Sequence, residues 1–274
     1  MNTDVTHEYL MGHTSAEYQR LRAQAAVWEA STVRALNAID LRQGMNCLNA
    51  GCGPGEVMRL LGTRVGPTGR VTGLDIDATI GEQALDLLTA TVGHQFGFHS
   101  MDLETTTEFP DAPYDLVYAR LVLIHLKNPV DVLRRLWACV KPGGTLLIQE
   151  YDMSFMHMHP TTWSFEEFQR VLLGTFEAGG KDYRIGSRMP RLFVDAGIGS
   201  PTGTDVYGII DSLQHIYPML MAVYQSLLPI ALKVGITNQA QSERFLKELP
   251  EQANNGDYHT GSWPLMIATW KQKA

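Results

Sequence analysis

Residues 48–55 read Leu48-Asn49-Ala50-Gly51-Cys52-Gly53-Pro54-Gly55, directly after the short, mostly apolar run Met45-Asn46-Cys47. Three glycines in five positions mark a turn at which side chains are removed so that something can approach the backbone. A strand pattern precedes the turn at 45–50 and a helix pattern follows it at 56–63. A strand, a glycine turn and a helix together present bare N–H groups at the crevice where open α/β sheets bind ligands. Asp75 stands twenty positions after Gly55, at the end of the next strand, and a carboxylate there can accept both hydroxyls of a ribose. A nucleoside-containing cofactor is implied. The spacing is G-x-G-x-G, not the G-x-G-x-x-G of dinucleotide sites, and the G-K-[ST] ending of a phosphate loop is missing. That pattern fits a ribose without a pyrophosphate.

Working outward, strands and helices alternate. Strands are expected at 71–75, 95–100, 114–118 and 145–149, with helices at 79–92 and from Asn128-Pro129, where proline takes the first helical position. Leu21, Ala25, Trp28, Thr32, Leu36 and Ile39 recur at helical spacing ahead of the first strand. The alternation predicts an α/β fold with a mostly parallel sheet covered on both faces. After residue 150 the rhythm breaks. Helices are expected at 161–178 and 188–196, a strand at 205–210, and a long apolar helical region at 212–234 that Pro218 and Pro229 should kink or divide. A last strand is expected at 264–270. Residues 151–188 and 211–258 read as insertions folded over the carboxyl edge of the sheet.

From 45 to 150 the chain resembles, motif by motif, the class I S-adenosylmethionine-dependent methyltransferases, in particular the small-molecule branch with the ubiquinone/menaquinone and sterol enzymes. Residues 47–55 look like the first motif, with Gly51, Cys52, Gly53 and Gly55 at the cofactor. Val71-Thr72-Gly73-Leu74-Asp75-Ile76-Asp77 looks like the second, which implies that Asp75 holds the ribose and Ile76 packs on adenine. Ser100-Met101-Asp102-Leu103 looks like the third: Asp102 would accept from the adenine amino group, flanked by Met101 and Leu103. Tyr114-Asp115-Leu116-Val117-Tyr118-Ala119-Arg120 looks like the fourth, with Ala119 and Arg120 beside the methionine part. The resemblance implies a Rossmann-like sheet of seven strands, S-adenosyl-L-methionine as cofactor and S-adenosyl-L-homocysteine as product. It also implies that residues 1–44 form a helical lid, with Tyr9, Tyr18 and Gln24 against the methionine end. One position departs from the pattern. Asn49 stands where the family usually has an acid, so the charge is lost and the hydrogen-bonding capacity kept.

Two residues at the carboxyl edge are candidate general bases. His125 follows the fourth strand in Leu123-Ile124-His125-Leu126, where many relatives also carry a histidine, and Glu150 ends the fifth. Ile124 replaces the glutamate of the cyclopropane-forming relatives, which argues against that branch. The acceptor pocket is expected from acid-poor, Met- and aromatic-rich segments of the insertions, with Tyr151, Phe155, Met156, Trp163, Phe168, Met221 and Tyr224 as candidates. The segment Phe155-Met156-His157-Met158-His159 holds a His-x-His pair, but no further ligand is spaced to complete a metal site, so no metal is expected.

Composition narrows the partners. Net charge is −7 and no Lys/Arg run is present, which disfavours nucleic acid. The Asn/Asp-Pro-Pro-aromatic signature of nucleic-acid adenine methylation is also missing. Cys47, Cys52 and Cys139 form no CxxC pair, and the first ten residues show no signal-peptide pattern. A cytoplasmic protein without a membrane span is expected, as a monomer or homodimer. Two readings stay open: an enzyme that methylates an O, N or C atom of a small, fairly apolar metabolite, and a non-catalytic cofactor-binding regulator.

Overall fold

The computed structural model describes residues 15–274, and side chains from Tyr18 onward. The chain begins with helices α1 (Ser15–Val27) and α2 (Glu29–Asn37). The single helix expected there breaks at Trp28, whose backbone (φ −97°, ψ 6°) turns so that its indole is fully buried. Then come β1 (Asn46–Ala50), α3 (Glu56–Val65), β2 (Arg70–Asp75), α4 (Ala78–Thr91), β3 (Phe96–Ser100), β4 (Tyr114–Arg120), α5 (Pro129–Ala138) and β5 (Val140–Asp152). Strands β1 to β5 are parallel where they pair. Cys47, Leu48 and Ala50 are wholly buried, as a central strand covered on both faces requires.

The remaining elements are β6 (Met158–His159), α6 (Trp163–Ala178), α7 (Ile185–Asp195), β7 (Gly203–Tyr207), β8 (Ile210–Ser212), α8 (Leu213–Lys233), α9 (Gln239–Asn254), β9 (Thr260–Ser262) and β10 (Leu265–Gln272). Strand β10 inserts between β5 and β7, antiparallel to both, which completes a seven-stranded sheet in the order β3-β2-β1-β4-β5-β10-β7. The order reverses direction between β1 and β4. Their carboxyl ends therefore diverge, and the crevice opens there.

Several elements differ from the sequence pattern. Strand β5 starts at Val140, because Lys141-Pro142-Gly143-Gly144 is absorbed into it at a register shift opposite Tyr114 and Leu116. The expected strand at 205–210 is two strands, β7 in the main sheet and β8 in a small sheet of order β6-β9-β8. Pro218 and Pro229 do not divide α8. They lie about three turns apart on its exposed face, where water can satisfy the freed carbonyls. Helix α8 is long and apolar enough to cross a membrane by length and composition. It instead buries Leu213, Ile216, Leu220, Tyr224, Leu227 and Ala231 against α1, α6, α9 and the small sheet. Helices α6, α8 and α9 form that cap. The Tyr224 and Phe245 rings stack at 3.8 Å, and buried Glu167 accepts from Tyr224 Oη at 3.2 Å and Thr237 Oγ1 at 2.7 Å.

Candidate active site

The glycine turn is left-handed at Gly51, Gly53 and Gly55 (φ 66°, 47° and 81°). A Cβ on Gly51 would lie 2.1 Å from Val122 Cγ2, and one on Gly55 2.9 Å from Ala84 Cβ. The turn is thus pressed against the loop after β4 and against α4. A Cβ on Gly53 would meet nothing, so its open side faces the crevice. Asp75 locks this arrangement: Oδ2 accepts from Gly53 N at 2.7 Å and Oδ1 from Asp77 N at 3.1 Å. Burial nevertheless raises the Asp75 pKa, against the lowering effect of those N–H donors.

These groups line one end of a cavity of about 300 Å³. Ile76 is 65% exposed at its rim, an apolar surface left uncovered beside Asp75. Met101, Asp102 and Leu103 line the same end, and Asp102 Oδ1 accepts from Glu104 N at 2.8 Å. A bare turn, with a carboxylate and an exposed apolar side chain at the end of the next strand, fits an adenosine-containing group. Cys52 also lines this end, but burial and the Asp75 charge raise its thiol pKa well above the ordinary value, so it is no nucleophile.

The other end is made of side chains. Arg20, Gln24 and Trp28 project from α1 and the break after it, and Gln24 Nε2 donates to Tyr151 Oη at 2.8 Å. Phe168, Leu172, Phe176, Met219, Leu220 and Val223 descend from the cap, Met156 comes from the segment between β5 and β6, and Trp263 closes one side against the Trp28 ring. His125 ends the 3₁₀ turn Leu123–His125, with its ring 6.2 Å from that of Phe176. Its pKa falls to about 3, first through burial and then through Lys181 and Arg20, so the imidazole is neutral. Lys181 Nζ donates to the His125 carbonyl at 2.7 Å.

Of the residues expected from sequence, Gln24, Gly51, Cys52, Gly53, Asp75, Ile76, Met101, Asp102, Leu103, Arg120, His125, Tyr151, Met156 and Phe168 line the cavity. Asn49 and Ala119 sit buried in the strands beneath the turn, and Gly55 packs on α4. Tyr18 is partly buried on α1 away from the cavity wall, and Tyr9 lies outside the described residues.

Five expectations need correction. Glu150 does not face the cavity: its Oε1 accepts from Val122 N (2.8 Å) and Leu123 N (2.6 Å), capping the turn that carries His125. Burial raises its pKa to about 8 despite those donors. Phe155 ends the 3₁₀ turn Met153–Phe155 and points outward, 48% exposed. Trp163 stacks under the Arg244 guanidinium at 3.8 Å. Tyr224 packs inside the cap, and Met221 sits beside it, off the cavity wall. Arg20 and Trp28 are among the contributors that sequence reasoning overlooked, as are Leu172, Phe176, Leu220, Val223 and Trp263. The signal for Arg20 and Trp28 was the i, i+4, i+8 row Arg20, Gln24, Trp28, which puts all three on one face of a helical stretch. No group of three metal-ligating side chains occurs among the described residues.

Compared with known proteins, residues 18–181 match a family described as a methyltransferase domain. The chain is 29% identical over 218 residues to an uncharacterized 37.1 kDa protein in a Streptomyces fradiae transposon, covering 78% of this chain and 60% of that one. It is 30% identical over 168 residues to 2-phytyl-1,4-naphtoquinone methyltransferase of Thermosynechococcus vestitus, covering 57% and 66%. A phosphoethanolamine N-methyltransferase 2 from Haemonchus contortus, solved with phosphomonomethylethanolamine and S-adenosylhomocysteine, shares the fold. Its TM-score is 0.53 at 16% identity, covering 89% of this chain and 53% of that one. The chain spans between 24% and 60% of the length of the first curated relatives it matches.

Proposed function

The chain belongs to the methyltransferase-domain family, and from that premise we propose that it is an S-adenosylmethionine-dependent enzyme that methylates a small, largely apolar metabolite. The observation that carries this reading is the continuity of one cavity. The glycine turn and Asp75 stand at one end, and a chamber of methionine and aromatic side chains at the other. When bound, S-adenosylmethionine supplies a methyl group on a positively charged sulfur. Asp75 would take the ribose hydroxyls, while Ile76, Met101 and Leu103 would flank the adenine. The naphthoquinone-methylating relative supports a ring-bearing acceptor, which Phe168, Met156 and Phe176 would enclose.

Positioning and exclusion of water are the chain's main contributions, and alignment of this kind supplies on the order of 7–11 kcal/mol. His125 is held neutral and touches the chamber, so it can accept a hydrogen bond from an acceptor hydroxyl. A conjugate acid with a pKa of about 3 is far below the near-neutral optimum for a general base. His125 is therefore read as an orienting partner. We place the protein in the cytoplasm, as a monomer or homodimer, a reading supported by three unpaired cysteines and net charge −7.

The alternative, a cofactor binder without turnover, draws on one observation: Asn49 is buried with its Oδ1 unpartnered where an acid is usual. Single-turnover assays with methyl-labelled S-adenosylmethionine and a panel of phenols, hydroquinones and enols separate the two. Transfer of label to a panel member supports the enzyme. Tight cofactor binding with no transfer to any acceptor, including the compounds that co-purify, supports the binder. In an active enzyme, His125→Gln should lower kcat by about tenfold or less and leave cofactor affinity unchanged.

A further inference from the structure

Strand register brings two polar side chains together where the two ends of the cavity meet. Ala119 of β4 pairs with Ala50 of β1, so Arg120 stands beside Gly51, and Arg120 itself pairs with Gln149 of β5. Tyr118 and Arg120 share one face of the sheet, as do Gln149 and Tyr151, two positions apart. It is the same face, because Tyr118 Oη donates to Gln149 Oε1. Arg120 and Tyr151 are therefore diagonal neighbours, both on the cavity wall, and the Arg120 charge reaches the phenol.

Each has bonding capacity left over. Arg120 Nη1 donates to Thr32 Oγ1 at 2.8 Å, and no described carboxylate pairs with the guanidinium. The carboxylates that line the cavity are engaged elsewhere. Glu56 pairs with Arg22 and Arg59, and Asp75 accepts from the Gly53 and Asp77 N–H groups. Asp77 accepts from Ile80 N, and Asp102 from Glu104 N. Tyr151 is only 6% exposed, and its oxygen accepts from Gln24 Nε2 at 2.8 Å. Its own O–H finds no acceptor among the described residues, and a buried donor left unused is costly unless a ligand takes it. A cation without a counter-ion beside a donor without an acceptor supplies the elements of a carboxylate receptor.

We propose that Arg120 and Tyr151 form a carboxylate-receiving subsite at the junction between the glycine turn and the chamber under the cap. Two guests have access to it, and naming them rests on the methyltransferase reading: the amino-acid end of a cofactor whose adenosine lies beside Asp75, and an acid group on the acceptor. Asn49 pairs with Tyr118 one position before Arg120 and is neutral, so the end of β1 places no negative charge against a carboxylate there.

The test titrates two pairs of probes by calorimetry into the full chain at pH 7.5. One pair is S-adenosylhomocysteine and 5′-methylthioadenosine, which lacks the amino-acid group, and the other is 2-naphthoate and 2-naphthylmethanol. In at least one pair the carboxylate should bind about tenfold or more tighter than its partner, as a charge-assisted hydrogen bond supplies. Arg120→Gln should abolish that preference, Arg120→Lys should keep part of it, and Tyr151→Phe should reduce it by a smaller factor. The partner without a carboxylate should stay within about twofold of its wild-type affinity in all three variants, far less than the loss of a charged hydrogen bond. Dependence on Arg120 in the nucleoside pair assigns the subsite to the cofactor, and dependence in the naphthalene pair alone assigns it to the acceptor. A chain that binds neither nucleoside yet shows the Arg120-dependent preference for naphthoate supports the subsite and refutes the methyltransferase reading. The absence of an Arg120-dependent preference in both pairs overturns the proposal. Loss of both members of a pair by equal factors counts the same way, since Arg120 would then only hold the strand end in place.

Discussion

The two ends of the cavity are built from different materials. At the end proposed for the cofactor the surface is a main-chain turn, shaped by left-handed glycines and pinned by one carboxylate at a strand terminus, with Ile76 and residues 101–103 beside it. At the acceptor end it is side chain, contributed by α1, the end of β5 and the cap helices. A main-chain surface of this kind tolerates little substitution, because all three glycines hold left-handed φ and two of them, Gly51 and Gly55, also meet a close steric neighbour. A side-chain surface can be exchanged residue by residue while the sheet stays intact. One scaffold can therefore keep a cofactor and change its acceptor.

Substitution at Gly51 breaks that contrast most severely. Gly51→Ala places a Cβ 2.1 Å from Val122 Cγ2 at a φ of 66°, where a side chain costs on the order of 1–3 kcal/mol before the clash is counted. S-adenosylhomocysteine affinity should fall by at least about a hundredfold, read by calorimetry. Affinity within threefold of wild type would show that the turn does not shape the cofactor end.

Glu150 stands between the two regions, below the loop that presents His125. Its folded pKa is raised to about 8, so the native state keeps a proton that the unfolded chain releases near the ordinary carboxyl pKa. The stability it contributes is present below that ordinary value and is lost as pH rises to about 8. Glutamine keeps the acceptor oxygen for Val122 N and Leu123 N and does not titrate. The Tm of wild type minus that of Glu150→Gln should therefore drop by a few degrees between pH 5 and 8.5. A difference that is flat with pH would mean that Glu150 is ionised and compensated.

The smallest effects distinguish wall from surface within the cap. Phe168→Leu should raise the acceptor KM by about fivefold, roughly 1 kcal/mol and the low end of what a change of pocket shape commands, with cofactor affinity unchanged. Phe155→Ala removes a ring that is already 48% exposed and should change neither constant by more than about twofold. A larger effect from Phe155 than from Phe168 would reverse the assignment of the chamber wall.

Legibility in the sequence follows the same division. Gly51, Gly53, Gly55 and Asp75 were readable because a turn that requires positive φ, followed by an acid one strand later, leaves fixed spacing in the chain. The acceptor wall was not, since apolar residues on a helix do not reveal which neighbour they meet. Trp163 and Tyr224 are as aromatic as Phe168, yet one stacks on Arg244 and the other on Phe245. Arg20 was missed for a related reason: its role depends on the break at Trp28, which lets α1 lie over the chamber while α2 runs along the sheet. Helix α9 was not resolved from its neighbours, because Pro250 and a polar composition mask its buried row Ser242, Phe245, Leu249 and Ala253.

The central claim is that the main-chain end of the cavity holds S-adenosylmethionine through Asp75. Calorimetric titration of S-adenosylhomocysteine into wild type and Asp75→Ala, each checked for an intact fold by circular dichroism, tests it most directly. Wild type should bind one equivalent, and Asp75→Ala should bind more weakly by about 1.5–3 kcal/mol, the loss expected for hydrogen bonds to a charged group. Absence of binding by wild type, or equal affinity in a folded Asp75→Ala variant, would contradict the account.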